Sequence, residues 1–363
     1  MSAAALAPSL APFDRRLVVL VGAGGVGKTT LAAALALQSA RRGTDTLVMT
    51  FDPSLRLKDA LGLTPSEARA ARGAPVSVPG AGPGRLEAAL LDAQSTFDRI
   101  VARHAPDPVT RDRIYANRFY ARLAGSLAGI LEYMAMERLF EVQEAGGYGR
   151  IVLDTPPTRQ ALDFLEAPDR IIRFLDARPV KAAAKPWWEK QDRTFLMRMA
   201  ARSVEAYADR LIGRGFLMDL VEFIRDFAPL FDGFRERAEA VRSLLRSPET
   251  LFVLVTGAGE ERIPDAMFFL RRLKEAGHPL GPVLVNQTHP EVPKAAGAEG
   301  AGIALLRHLG ARDARGLAQF RARLASGPAV VDLPLLGRPP SDLQALEDLG
   351  ALVLARSGAR AGV

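Results

Sequence analysis

The residues Gly22-Ala23-Gly24-Gly25-Val26-Gly27-Lys28-Thr29 carry the most specific chemistry in the chain. They meet the pattern G-x-x-x-x-G-K-[ST] at every fixed position. Glycines so spaced let successive backbone N–H groups curl around an anion, and a helix starting there adds the positive end of its dipole. A lysine in this place neutralises β- and γ-phosphates, and a threonine hydroxyl is a ligand for Mg²⁺. The loop, continuing into Thr30, is therefore expected to hold a nucleoside triphosphate with Lys28 on phosphate and Thr29 on the metal.

Three further polar residues close apolar runs. Asp52, in Phe51-Asp52-Pro53, could orient or deprotonate an attacking water, or could be a turn or helix-capping aspartate before proline. Asp154, in Asp154-Thr155-Pro156-Pro157-Thr158, has the position of a carboxylate acting on Mg²⁺ directly or through water, with a turn aspartate as the alternative. The stiff polar stretch after it suits a segment that senses the γ-phosphate. Asn286, followed by Gln287, offers donor and acceptor to an adenine edge, or could cap a helix.

The elements that must position these residues are legible as alternating patterns. Leu17–Val21 reads as a buried strand and Thr29–Ala40 as an apolar-faced helix. Thr46–Phe51, Arg150–Leu153, Leu251–Thr256 and Pro282–Val285 are further apolar, partly β-branched runs. Strands alternating with helices predict an α/β fold, a mostly parallel sheet flanked by helices, with ligands at the carboxyl ends of the strands. Thr96–Ala145 and Ala161–Arg246 read as helical throughout and predict a helical subdomain inserted into that core. The expected divisions are 14–95 for the first part of the nucleotide-binding core, 96–145 helical, 146–160 core, 161–248 helical and 249–356 core. Pro75–Gly84 and Ala295–Gly302, rich in Pro, Gly and Ala, read as surface loops.

Composition sets limits. The 363 residues suit about two domains, and 48% hydrophobic content suffices for a full core. No stretch is apolar for long enough to span a bilayer. The Ala/Pro-rich stretch Met1–Pro12 has no basic residue before its apolar part, so it reads as a poor signal peptide. With no cysteine in the chain, disulfides, thiolate metal sites and cysteine nucleophiles are excluded. These features point to the cytoplasm. A net charge of +7 could serve nucleic acid or an anionic membrane. The basic residues are mostly interleaved with acids, as in Arg235-Glu236-Arg237, which favours a solvated surface over a nucleic-acid site.

As a set these motifs resemble the arsenical pump-driving ATPase family, to which the ATPase that targets tail-anchored membrane proteins also belongs. The resemblance is carried by the Gly22–Thr30 loop, by Asp-Pro-x-x-x-Leu-x-Asp-Ala-Leu over Asp52–Leu61, and by Asp154–Thr158. Leu86–Asp92, Gly129–Glu137 and Asp332–Leu336 look like further family segments. It implies a deviant phosphate-loop ATPase working as a dimer, with ATP at the subunit interface and hydrolysis changing how the halves are arranged. It implies that Lys28 and Thr29 bind phosphate and Mg²⁺, and that Asp52 is the catalytic base of switch I and stands with Thr29 and Asp154 at the metal. Asp154 would begin switch II, and Asn286 with Pro334, Leu335 and Leu336 would hold adenine. Two departures stand out. Ala23 replaces a signature lysine that reaches the partner's phosphates, which leaves a homodimer or a heterodimer with a paralogous subunit open. The missing cysteines remove the arsenite-binding thiolates and the zinc-binding pair known in the family.

Partner surfaces are less specific. Trp187 and Trp188 beside Lys181, Lys185 and Lys190 suit a membrane interface or a partner surface, or a packed helix junction. Met197, Met199 and Met218 with Phe195, Phe216, Phe223 and Phe227 suit a groove for a hydrophobic client, or ordinary core, which the helical spacing favours. The four histidines show no ligand spacing. Two other functions remain open: a partitioning-type ATPase on DNA or a membrane surface, and a weakly hydrolysing nucleotide-binding regulatory subunit.

Overall fold

Every residue of the first strand, β1 (Leu17–Gly22), is buried, as are those of β2 (Thr46–Thr50) and β5 (Arg150–Asp154). Strands buried on both faces are those of a parallel sheet covered by helices. The computed structural model describes residues 10–51, 56–63, 73–118, 120, 130–177, 222–293 and 300–358. Its sheet has eight strands in the order β3-β4-β2-β5-β1-β6-β7-β8, adding β3 (Val76–Ser77), β4 (Leu86–Leu90), β6 (Thr250–Gly257), β7 (Leu280–Thr288) and β8 (Val330–Pro334). All pairings are parallel except the short edge pair β3–β4. The expected α/β sheet is thus present. Succession reverses at β1, which lies between β5 and β6, and such a reversal opens a crevice at the carboxyl end of the strand. The glycine loop follows β1.

Three sequence expectations change in detail. Val76–Ser77 is a strand within the stretch read as loop, because it pairs with Ala88 and Glu87 of β4. Asp154 and Asn286 lie within the ends of β5 and β7, not beyond them, because pairing continues from Asp154 to Leu20 and from Asn286 to Gly257. Ala301 and Gly302 belong to the long helix Ala301–Arg323, whereas residues 294–299 lie outside the described residues.

By internal contacts the chain divides into two units, Met1–Leu91 with Gln143–Leu162 and Ser243–Val363, and Asp92–Val142 with Asp163–Arg242. The first holds the sheet. Its core packs α1 (Lys28–Arg41) and the C-terminal helix Leu343–Gly358 with Val18, Leu20, Val48, Val152, Val253 and Val331. Strict alternation along β1 puts Val18 and Leu20 on that face. The second unit includes the helices Ala93–His104 and Pro108–Ala116. Its core is aromatic: Phe97 stacks on Tyr120 and Phe223 on Phe227, each with centroids 5.0 Å apart. Phe223 and Phe227 are thus core, as the helical spacing favoured. Trp187, Trp188 and the other residues of those two partner readings lie outside the described residues.

Within this second core Glu137 is buried. It accepts a hydrogen bond from the Tyr133 hydroxyl and from Arg237 Nε at 2.8 Å. Burial pushes its carboxyl up to about 6, with Arg237 and the Tyr133 hydroxyl pulling the other way.

Candidate functional site

The phosphate loop is built by β1 and α1. Gly22 closes β1 with φ 150°, and a Cβ there would lie 2.0 Å from the Val255 carbonyl oxygen of β6. Only glycine lets the loop leave the sheet so close to its neighbour. Gly27 is the N-cap of α1 with φ 89°, a left-handed conformation that costs glycine little. Lys28 opens the helix and is buried. Its ammonium donates to the Ala23 carbonyl at 2.8 Å and so spans the loop it would neutralise. Gly24 and Gly25 are exposed at the mouth. Pro157, three residues after Asp154, stands over Gly24: a Cβ there would meet the proline ring at 3.7 Å.

Asp154 is the hub beside the loop. It pairs with Thr50 across β2–β5, and side chains of directly paired residues share a face of the sheet. The Thr50 hydroxyl donates to Asp154 Oδ2 at 2.9 Å, and the Thr29 hydroxyl donates to the same oxygen at 2.7 Å. Asp154 and Thr50 are buried. A hydroxyl on the first turn of a phosphate-loop helix and a strand-end carboxylate bonded to it are hard oxygen donors, the kind Mg²⁺ takes beside phosphate and water. The residues present therefore fit Mg²⁺. Among the described residues no group of three or more His, Cys, Asp or Glu is placed to hold a metal by itself.

The remaining sequence-derived residues divide. Asn286 lies against the loop, its amide Nδ2 donating to the Val26 carbonyl at 2.9 Å. Pro334 pairs with Thr288, and Leu335 N–H donates to the Thr288 carbonyl at 2.9 Å, so the β8 end adjoins the β7 end. Leu335 is 47% exposed beside that end, available to an apolar ring, whereas Leu336 packs on the core. Thr30 continues α1. Asp52 and Pro53 lie outside the described residues. Thr155 turns inward: its hydroxyl donates to the Leu20 carbonyl at 2.8 Å, so it holds the segment to β1.

Sequence reasoning missed Thr50, the backbone conformation of Gln287 and the pairing of His289 with Asp313. Thr50 could have been noticed as the hydroxyl closing β2 opposite a strand-end carboxylate. Gln287 has φ 60°, the only positive φ among described non-glycine residues, and no local signal announces it. His289 N–H and Nδ1 lie 3.0 and 2.7 Å from Asp313 Oδ2, a partner on the helix Ala301–Arg323. Burial works against the Asp313 carboxylate, but the His289 and Arg312 hydrogen bonds outweigh it and hold its pKa below the usual value.

A mostly parallel sheet with a glycine-rich phosphate loop at its reversal point, backed by a strand-end aspartate bonded to the loop threonine, defines a P-loop nucleotide-binding protein. Residues 15–299 match the family model of the anion-transporting ATPases, and the chain belongs to that family. The motif resemblance is therefore borne out. An uncharacterised Streptomyces coelicolor protein is 34% identical over 161 residues, 44% of this chain and 39% of that protein. A Chlorobaculum tepidum protein named as a candidate arsenical pump-driving ATPase is 25% identical over 276 residues, 75% of this chain and 61% of that one. ATPase GET3B of Arabidopsis thaliana is 27% identical over 291 residues, 76% and 65% respectively. The chain thus matches less than two thirds of the length of each of these relatives.

Proposed function

We propose that this protein is a Mg²⁺-dependent ATPase of the cytoplasm that uses ATP binding and hydrolysis as a conformational switch. The observation that carries the reading is the pair of bonds joining Lys28 to its loop and Thr29 to Asp154. A phosphate group entering the loop would compete with the Ala23 carbonyl for the Lys28 ammonium, and a doubly charged phosphate wins such an exchange. Thr29 and Asp154 would hold Mg²⁺, which when bound screens phosphate charge. Asp52 is assigned to orient and deprotonate the attacking water, on the resemblance alone. Asn286 and the Pro334–Leu336 segment would border adenine.

The switch reading rests on continuity of chain. The helix Thr158–Asp176 begins four residues after Asp154, and its later residues belong to the helical unit. A change at Asp154 on loss of the γ-phosphate would be passed along that helix. The helical unit is then the surface for a hydrophobic client or membrane-associated partner, and the working form is a homodimer or a heterodimer with a paralogous subunit. Ala23 favours a second reading, a weakly hydrolysing regulatory subunit, because no loop lysine is left to reach a partner's phosphates.

Single-turnover hydrolysis of radiolabelled ATP tests both. The first reading expects phosphate release that requires Mg²⁺ and is lost, together with ATP binding, in Lys28→Ala. Binding without release, alone and with a paralogue, would favour the regulatory subunit. A Lys28→Ala protein with unchanged affinity and turnover would overturn the site.

A further inference from the structure

Asn286 bonds to the phosphate loop itself. Its Nδ2 donates to the Val26 carbonyl at 2.9 Å. In a trans peptide the carbonyl and the N–H point in opposite directions. Tying the Val26 carbonyl to β7 therefore turns the Gly27 N–H away from β7. Gly27 is the N-cap of α1, where backbone N–H groups serve an anion. The amide also occupies the room a side chain would need: a Cβ on Gly27 would lie 2.4 Å from Asn286 Nδ2.

The segment that carries Asn286 is fastened on both sides. Before it, Val285 and Asn286 pair with Thr256 and Gly257 of β6. After it, the Thr288 hydroxyl donates to the Leu333 carbonyl at 3.1 Å, and His289 is held by buried Asp313. Between these anchors Gln287 takes φ 60°, where the register of β7 with β8 shifts. A left-handed residue with a side chain is disfavoured and persists only where its surroundings impose it. Bulges of this kind re-aim neighbouring side chains.

We infer that Asn286 is a positioning residue for the phosphate loop: its amide holds the Val26–Gly27 peptide in the orientation that receives the triphosphate, and the Gln287 bulge holds the amide. The inference rests on the reading of this loop as a triphosphate site and goes beyond a role in recognising adenine. The two roles differ in what they protect. A reader of the base controls the preference for ATP over GTP. A residue that shapes the loop acts on every ligand the loop holds, including one with no base.

The test is equilibrium binding of Mg-ATP, Mg-GTP and Mg-tripolyphosphate to the full chain. Wild type, Asn286→Ala, Asn286→Leu and Lys28→Ala are compared. Loss of one neutral hydrogen bond corresponds to roughly a tenfold loss of affinity. The expected result is a fall of about that size, by a common factor for all three ligands, in both Asn286 variants, with the ATP/GTP ratio unchanged. Asn286→Leu keeps the branched side-chain shape and removes the donor without adding charge, so it carries the test if the alanine variant does not fold. A loss confined to ATP, or tripolyphosphate affinity equal to wild type, overturns the inference while leaving the triphosphate site in place. If wild type binds tripolyphosphate no better than Lys28→Ala does, the underlying reading of the loop fails instead.

Discussion

Thr50→Val isolates the contact that joins the second strand to the site. The substitution keeps the volume and β-branching of the side chain and replaces a hydroxyl by a methyl. In the native protein that hydroxyl donates to Asp154 Oδ2 at 2.9 Å, with Thr50 and Asp154 only 2% and 1% exposed. Water has little access to replace it. A hydrogen bond to a carboxylate is worth about 1.5–3 kcal/mol. In a unit of this size each kcal/mol moves the melting temperature by roughly 2–4 °C, so the variant should melt about 3–12 °C lower. Calorimetry of Thr50→Val, Asp154→Asn and the double variant separates this bond from general packing loss, because only contacting residues show coupling. We expect a coupling of about 1 kcal/mol or more. The second readout is functional. A hydroxyl that orients a metal-binding carboxylate typically supports about 10–100-fold in metal affinity. The Mg²⁺ concentration for half-maximal ATP binding should rise accordingly in Thr50→Val. Strictly additive melting shifts together with an unchanged Mg²⁺ requirement would refute the idea that Thr50 positions Asp154.

Other outcomes rest on the family resemblance for Asp52 and on two buried carboxylates, Glu137 and Asp313. Asp52→Asn should retain ATP and Mg²⁺ binding by calorimetric titration while slowing single-turnover hydrolysis by about 10²–10⁴; loss of binding with the fold intact would make Asp52 a structural cap. Glu137, raised from 4.5 to about 6, binds its proton more tightly in the native than in the unfolded protein. Its contribution is therefore present below pH 4.5 and is lost as pH rises through 6, by about 2 kcal/mol. Glu137→Gln should flatten that window, so a difference between wild type and variant that stays constant in denaturant melts from pH 4.5 to 7 would contradict it. The Asp313 carboxylate works oppositely and in a lower window: its depressed pKa stabilises the native state above the ordinary value, and this is lost as pH falls below it.

The phosphate loop was legible because its chemistry is local. The glycines, lysine and threonine stand within eight consecutive residues, and the strand before them and helix after them announce themselves by apolar patterning. The α/β class followed from the same alternation. Individual strands were less legible where their residues depart from strand composition. β4 is Leu-Glu-Ala-Ala-Leu, poor in β-branched residues, and is a strand because it pairs with β2 along its whole length.

What surrounds the loop was decided by the tertiary structure alone. Asp154 meets Thr29 and Thr50 from 125 and 104 residues away, and Asn286 meets Val26 across 260. Each position offered more than one role in the sequence, because a carboxylate or an amide at a strand end can equally cap, turn or bind. The choice between those roles depends on strand order and register, which set which side chains stand opposite one another. The left-handed backbone of Gln287 is of the same kind: no feature of Asn286-Gln287-Thr288 requires it, and it exists where the β7–β8 register shifts and Thr288 and His289 are fastened beyond it.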